Sequence, residues 1–433
     1  MDRPIGIEEY LVWAYGQAAP NHFTVTAKIV GELTIEQLQD ALIWVQQRHP
    51  FLRGKIAIDQ SGYPWFVEEA ATIPLRVVKR QSEQQWQQEV EQELARPLDW
   101  NQAPLIRMVL VHAADVSELI ITCHHILADG MSTVYLLRDI LQAIGLQNHP
   151  QPVLPKHLAY EHLTAIAPKI QPLTQQPPLE WSNPSNTTPT LPENSRPRLL
   201  AWSLSPETTT NIIQRCQQEQ TSVHAAICAA FLLAVYQQND SFVLSTQTQD
   251  PNQPATLRCF TPINIRQLLA PTIQEDFGTY YTTYVTDHPI TPDLTLWDFA
   301  RAIKAQLKQK MVPDQIFAHL LEAEAFVSTR PSADVVKEVL RSLNSYDLLV
   351  SNLGRLNIPT QYGGLQLAAI YGPSATTHIE SDRFVGVSTL GEQMFFNLVY
   401  SESDISPTQI EQLQQEAMQL LTVSSMPCVL HPY

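Results

Sequence analysis

Cysteine is scarce in this sequence and never closely paired. Five occur, Cys123, Cys216, Cys228, Cys259 and Cys428, with no CxxC spacing. An odd number without close pairs speaks against a disulfide framework or a cysteine-ligated zinc, and predicts reduced thiols in a cytoplasmic protein. Positive charge is also in deficit: 27 Lys and Arg stand against 43 Asp and Glu, a formal net charge of -16. That balance sets aside nucleic acid and an anionic membrane as main partners. The most apolar long run, residues 223–236, falls short of the ~20 residues that cross a bilayer and reads as a buried helix. The opening Met1-Asp2-Arg3-Pro4 lacks the pattern of a signal peptide. No GxSxG nucleophile turn occurs; residues 386–391, Gly-Val-Ser-Thr-Leu-Gly, have the wrong spacing.

What is present is enough for a large folded core. Hydrophobic residues make up 44% of the 433 positions, and a chain of this length favours two lobes of roughly 200 residues each. Residues 22–30 read as a strand, and Thr34 with Gln37 forms a capping box for the helix that follows. Further strands are expected at 54–58, 105–111 and 118–122, with a polar helix at 83–94 and an amphipathic one at 131–144. Seven prolines between 171 and 197, among Ser, Thr, Asn and Gln, predict an extended linker. The expected division is therefore an N-terminal lobe over 1–170, a linker over 171–197 and a C-terminal lobe over 198–433. In that second lobe Ser205 caps a helix with Pro206 at its first position. Strands are predicted at 242–246, 257–262, 280–285, 348–350, 366–371, 384–389 and 393–400, and helices at 296–310 and 333–343.

The stretch that could carry chemistry is Cys123-His124-His125-Ile126-Leu127-Ala128-Asp129-Gly130, between a predicted strand and a predicted helix. If the pleat extends to residue 125, Cys123 and His125 face one way and His124 the other. Neighbours on opposite faces cannot close on one metal ion. A Cys123–His125 nucleophile pair is also disfavoured, because residues two apart on a strand are separated by about 7 Å at Cα. One imidazole acting as a general base remains open, as does a pair of satisfied core histidines.

His124-His125-Ile126-Leu127-Ala128-Asp129-Gly130 resembles the HHxxxDG motif of the acyltransferase superfamily. That group contains chloramphenicol acetyltransferase, plant BAHD acyltransferases, nonribosomal peptide condensation domains and polyketide-associated acyltransferases. Other segments resemble it in the same order. Arg48-His49-Pro50-Phe51-Leu52-Arg53 is similar to RHxxLR, and Thr221-Ser222-Val223-His224-Ala225-Ala226 to the opening of the second lobe's first long helix. Pro262-Ile263-Asn264-Ile265-Arg266 is similar to a strand end bearing N-x-R, Asp276-Phe277-Gly278 to the BAHD DFG, and Val350-Ser351-Asn352-Leu353-Gly354 to a late SNxG segment.

The resemblance implies two chloramphenicol acetyltransferase-like α/β lobes with an active-site tunnel at their interface. It implies His125 as the base that deprotonates an acceptor attacking an acyl thioester, and Asp129 paired with Arg266 as a scaffold. A triad in which Asp129 orients His125 is the alternative. His124 would be structural, and Gly130 would permit a turn too tight for a Cβ, giving substrate access beside the base. Asn352 or Ser351 is the candidate donor to the oxyanion, with ordinary turn chemistry as the plainer explanation.

The expected co-substrate is acyl-CoA, or an acyl group on the phosphopantetheine arm of an acyl carrier protein, with no metal and no permanently bound cofactor. Arg301, Lys304 and Lys308 form a basic stripe at helical spacing that could dock such an anionic donor, although a solvated helix face explains it as well. The layout resembles a free-standing monomer acting in trans. A hydroxyl acceptor, giving an ester, is the leading expectation. An amine acceptor giving an amide is the first rival, and a non-catalytic member of the fold that binds a carrier protein is the second.

Overall fold

The computed structural model describes residues 3–145, 152–154, 158–164, 189–191, 195–238, 255–270, 273–291, 293–377 and 383–422. The strand expected at 242–246, Cys428 and most of the linker expected at 171–197 lie outside them.

Two six-stranded sheets organise the chain. The first has at its centre His22–Val30 paired antiparallel with Val116–His124, in a register that sets His22 opposite His124 and Phe23 opposite Cys123. Ile106–His112 and Leu75–Lys79 extend it on one side. Almost every residue of Val116–His124 is buried, because helices cover both faces of this sheet: Gln85–Leu94 packs on the three central strands, and Gly130–Gly145 on the His22–Val30 side. The capping box at Thr34 and Gln37 forms as the sequence predicts and starts helix Ile35–Arg48. A small third sheet, from Arg3–Pro4, Pro64–Glu68 and Gly54–Ile58, lies beside it.

The second sheet runs in the order Tyr281–Pro289, Thr256–Asn264, Leu348–Leu356, Arg383–Leu390, Gln393–Ser401 and Pro197–Ser203. Helix Val223–Gln237 is apolar on all sides and has eleven buried residues, because Leu296–Lys310, Pro407–Thr422 and the sheet all pack on it.

The chain's order and its spatial order part company at one strand. Leu365–Ala375, late in the sequence, pairs antiparallel with His22–Val30 and so completes the first sheet. Its side also touches the second sheet. Ser388 Oγ donates to Ile370 O at 2.6 Å, and Asn397 Nδ2 donates to Pro373 O at 2.9 Å and Ser374 Oγ at 2.8 Å. Strand Arg383–Leu390 can approach this closely because residue 386 is glycine: a Cβ there would lie 2.0 Å from Pro373 O. The core under the first sheet also crosses between the halves, where helix Ile7–Ala18 packs on Pro313–Ser328 and Ala333–Leu343.

Candidate active site

The histidine strand runs past the predicted residue 122 and stops at His124, so the pleat does not reach His125. The chain then turns, with Leu127 N donating to His124 O at 2.9 Å. His124 points into the packing against helix Ile7–Ala18, where a Cβ on Gly16 would be 3.2 Å from its Nε2. Burial, and then the proximity of His22 and His125, pushes it down to about 3. Cys123 is wholly buried, with Sγ 4.0 Å from Thr133 Oγ1, away from the cavity.

His125 instead lines a cavity of about 270 Å³ formed by both halves of the chain. Its backbone is held on both sides: His125 N donates to Asn21 O at 3.0 Å, and Thr279 Oγ1 donates to His125 O at 3.1 Å. The ring lies 4.6 Å from that of Phe23 and 6.0 Å from that of Tyr281. Burial in these apolar surroundings lowers the imidazole to about 4, against a smaller upward pull from Asp129. Nδ1 is buried without a hydrogen-bond partner among the described residues, which leaves Nε2 as the nitrogen able to meet a ligand. A neutral ring carrying its proton on Nδ1 presents a lone pair there.

Asp129 is fully engaged elsewhere. Arg266 reaches it with Nη1 to Oδ2 at 2.8 Å and Nη2 to Oδ1 at 3.0 Å. Ser132 N donates to Oδ1 at 2.7 Å and Tyr280 N to Oδ2 at 2.9 Å. Four donors on one buried carboxylate fix the loop between strand and helix, and its geometry is a charge-assisted fork. Gly278 joins the same knot through Ser132 Oγ, which donates to Gly278 O at 2.7 Å and accepts from Gly278 N at 3.1 Å. Phe277 sits edge-on to His49 at 5.6 Å. His49 and Arg48 both contact Asp139, at 2.8 and 2.7 Å, so the RHxxLR segment clamps helix Gly130–Gly145.

Gly130 corrects an expectation. It has no left-handed φ and opens a regular helix. A Cβ there would lie 2.9 Å from Leu353 Cδ2 at the cavity wall, so the missing side chain supplies the space expected beside the base, without the tight turn.

Ser351 and Asn352 line the same cavity. Asn352 Oδ1 accepts from Gly354 N at 2.8 Å, the turn bond foreseen as the plainer explanation, and its amide N–H groups have no hydrogen-bond acceptor among the described residues. Arg301, Lys304 and Lys308 do not line the cavity. Arg301 is tied to Glu219 and Asp298, and Lys304 Nζ donates to Gln220 O at 2.8 Å. Glu8, Tyr281 and Thr282 line the cavity but drew no attention in the sequence, because no motif marks them. No group of three or more His, Cys, Asp or Glu among the described residues could hold a metal ion.

Comparison with known proteins identifies the family. The condensation-domain family model matches residues 16–315, more than half of the chain. The chain belongs to the condensation-domain family. Among curated relatives, this condensation domain is 33% identical over 126 residues to surfactin synthase subunit 2 of Bacillus subtilis (strain 168), covering 29% of this chain and 3% of that protein. The chain thus spans a small fraction of that relative's length. Polyketide synthase associated protein 5 from Mycobacterium tuberculosis superposes with a TM-score of 0.63 at 15% identity, over 97% of this chain and 98% of the other. Trichothecene 15-O-acetyltransferase from Fusarium sporotrichioides gives 0.66 at 13% identity, over 97% and 94%. At these identities the two structures establish a shared fold, a two-lobed α/β architecture.

Proposed function

We propose that this condensation domain transfers an acyl group from a thioester to a hydroxyl acceptor, with His125 taking the proton. The observation that carries the reading is one imidazole nitrogen free to meet a ligand in an apolar cavity at the meeting of the two halves. As the acceptor oxygen attacks the thioester carbonyl, its proton passes to His125 Nε2. The carbonyl oxygen takes up negative charge, to which the Asn352 amide or Ser351 hydroxyl donates. Collapse breaks the C–S bond, and His125 returns the proton to the departing sulfur. Asp129 and Arg266 hold the loop and take no part in proton transfer.

The donor is acyl-CoA or an acyl group on a carrier protein's phosphopantetheine arm. The carrier is favoured by the likeness in fold to a four-domain nonribosomal peptide synthetase. The cavity's apolar wall, including Phe23, Leu349 and Phe384, suits an acyl chain. We further propose residues 171–197 as the joint between lobes, which limited proteolysis would locate.

One observation favours an amine acceptor as a second reading. A base held near 4 removes a proton readily from the ammonium formed when an amine attacks, and less readily from an alcohol. Incubating the protein with acyl-CoA and acyl-carrier donors plus matched alcohol and amine acceptors, then weighing the products, separates ester from amide. In the same assay His125→Ala should lose at least about a hundredfold in rate. Unchanged turnover would remove His125 as the base, and no product from the parent protein with any donor would leave the non-catalytic, carrier-binding reading.

A further inference from the structure

Three charged side chains line the cavity: Asp129, Arg266 and Glu8. The first two neutralise each other, and Glu8 is paired with His319, whose imidazole it holds above its ordinary value against the opposing effect of burial. Glu8 lies on helix Ile7–Ala18, and its Oε1 meets His319 Nε2 at 3.1 Å, from helix Pro313–Ser328. The same nitrogen lies 3.5 Å from Thr282 Oγ1. Thr282 also lines the cavity and follows Tyr281, whose ring is 6.0 Å from that of His125. Helices from both halves therefore hold one carboxylate on the cavity wall, with Thr282 against the same imidazole. Its second oxygen takes no hydrogen bond among the described residues.

We propose that Glu8 selects the acceptor, receiving on that oxygen a hydrogen-bond donor, above all an ammonium, carried at a position remote from the attacking group. The inference rests on the acyl-transfer reading and adds the acceptor's chemical class to it. His319 fixes the carboxylate in place before a ligand arrives, so little ordering remains to be done on binding. Nearby wall residues Leu11, Val12 and Leu340 offer an ammonium no partner, and a cation in such surroundings without one is strongly disfavoured.

The test uses the intact chain and a series of linear amino alcohols beside the matching unsubstituted alcohols. The ratio of kcat/KM for amino alcohol to that for plain alcohol should fall about tenfold or more in Glu8→Gln, whose amide can keep the His319 contact. Glu8→Asp, which keeps the charge, should retain a preference. Calorimetric binding of the amino alcohols to His125→Ala protein, with and without Glu8→Gln, reads the same preference without turnover. Equal affinity for both ligand types in the parent protein, or a ratio untouched by Glu8→Gln, overturns the proposal. A preference seen by calorimetry, together with no acyl transfer from any donor by the protein with His125 intact, would support Glu8 and sink the acyl-transfer reading.

Discussion

An imidazole lowered to about 4 is already neutral at any pH where the protein is expected to work. Its protonated form is the inactive one, so kcat/KM should climb as pH rises through about 4 and then stay level to neutrality. A pH–rate profile of the free enzyme checks this, and a midpoint near the ordinary 6.5 would mean a far wetter His125. Asp129 and Arg266 make the opposite prediction, on stability. Arg266→Ala leaves a buried carboxylate with two backbone donors, and should cost about 3–5 kcal/mol in urea unfolding. Replacing both partners, Asp129→Asn with Arg266→Met, should cost less, because no unpaired charge stays inside.

At the scale of elements, helix Ile7–Ala18 has an unusual anchor. No side chain of its own N-cap, Gly6, can accept its first amides. Glu161, from the turn Tyr160–Leu163, accepts from Ile7 N at 2.6 Å instead, and Glu9 accepts from Gly6 N at 2.8 Å. Burial, reinforced by Glu9, pushes Glu161 up to about 7. The folded protein therefore keeps a proton that the unfolded chain sheds above about 4.5. Stability should fall as pH rises from about 4.5 to 7, by about 3 kcal/mol in all, and stay lower beyond. Glu161→Gln should flatten that slope in unfolding curves taken across the window.

Elements whose signals are local could be read from the sequence. Strand His22–Val30 alternates, Thr34 and Gln37 sit at capping spacing, and Pro206 follows a capping serine, so each declares itself within a few residues. Helix Ile7–Ala18 does not, since one of its caps comes from residue 161. The Asp129–Arg266 pair spans 137 positions, and only the family resemblance pointed to it. Glu8 and His319 lie 311 positions apart and had no such guide. Leu365–Ala375 was legible as a strand, but which sheet it joins depends on long-range pairing that periodicity does not encode.

For the whole molecule, that strand makes the two halves interdependent. Without it, His22–Val30 becomes a sheet edge: nine residues, mostly buried in the intact fold, with one row of backbone groups unpaired. Edges of this kind recruit other strands. Residues 1–196 expressed alone should therefore aggregate, and co-expression with 197–433 should restore soluble protein. Sedimentation of the two preparations decides it, and a soluble, monomeric 1–196 would count against the interdependence.

The same strand sets a clock on synthesis. The histidine strand is finished at residue 124, but the partner that seals its sheet leaves the ribosome only about 250 residues later. At roughly 5–20 residues per second, the nascent first sheet stays open for roughly ten to fifty seconds, and slowing translation over that interval would lengthen the exposure of its unfinished edge.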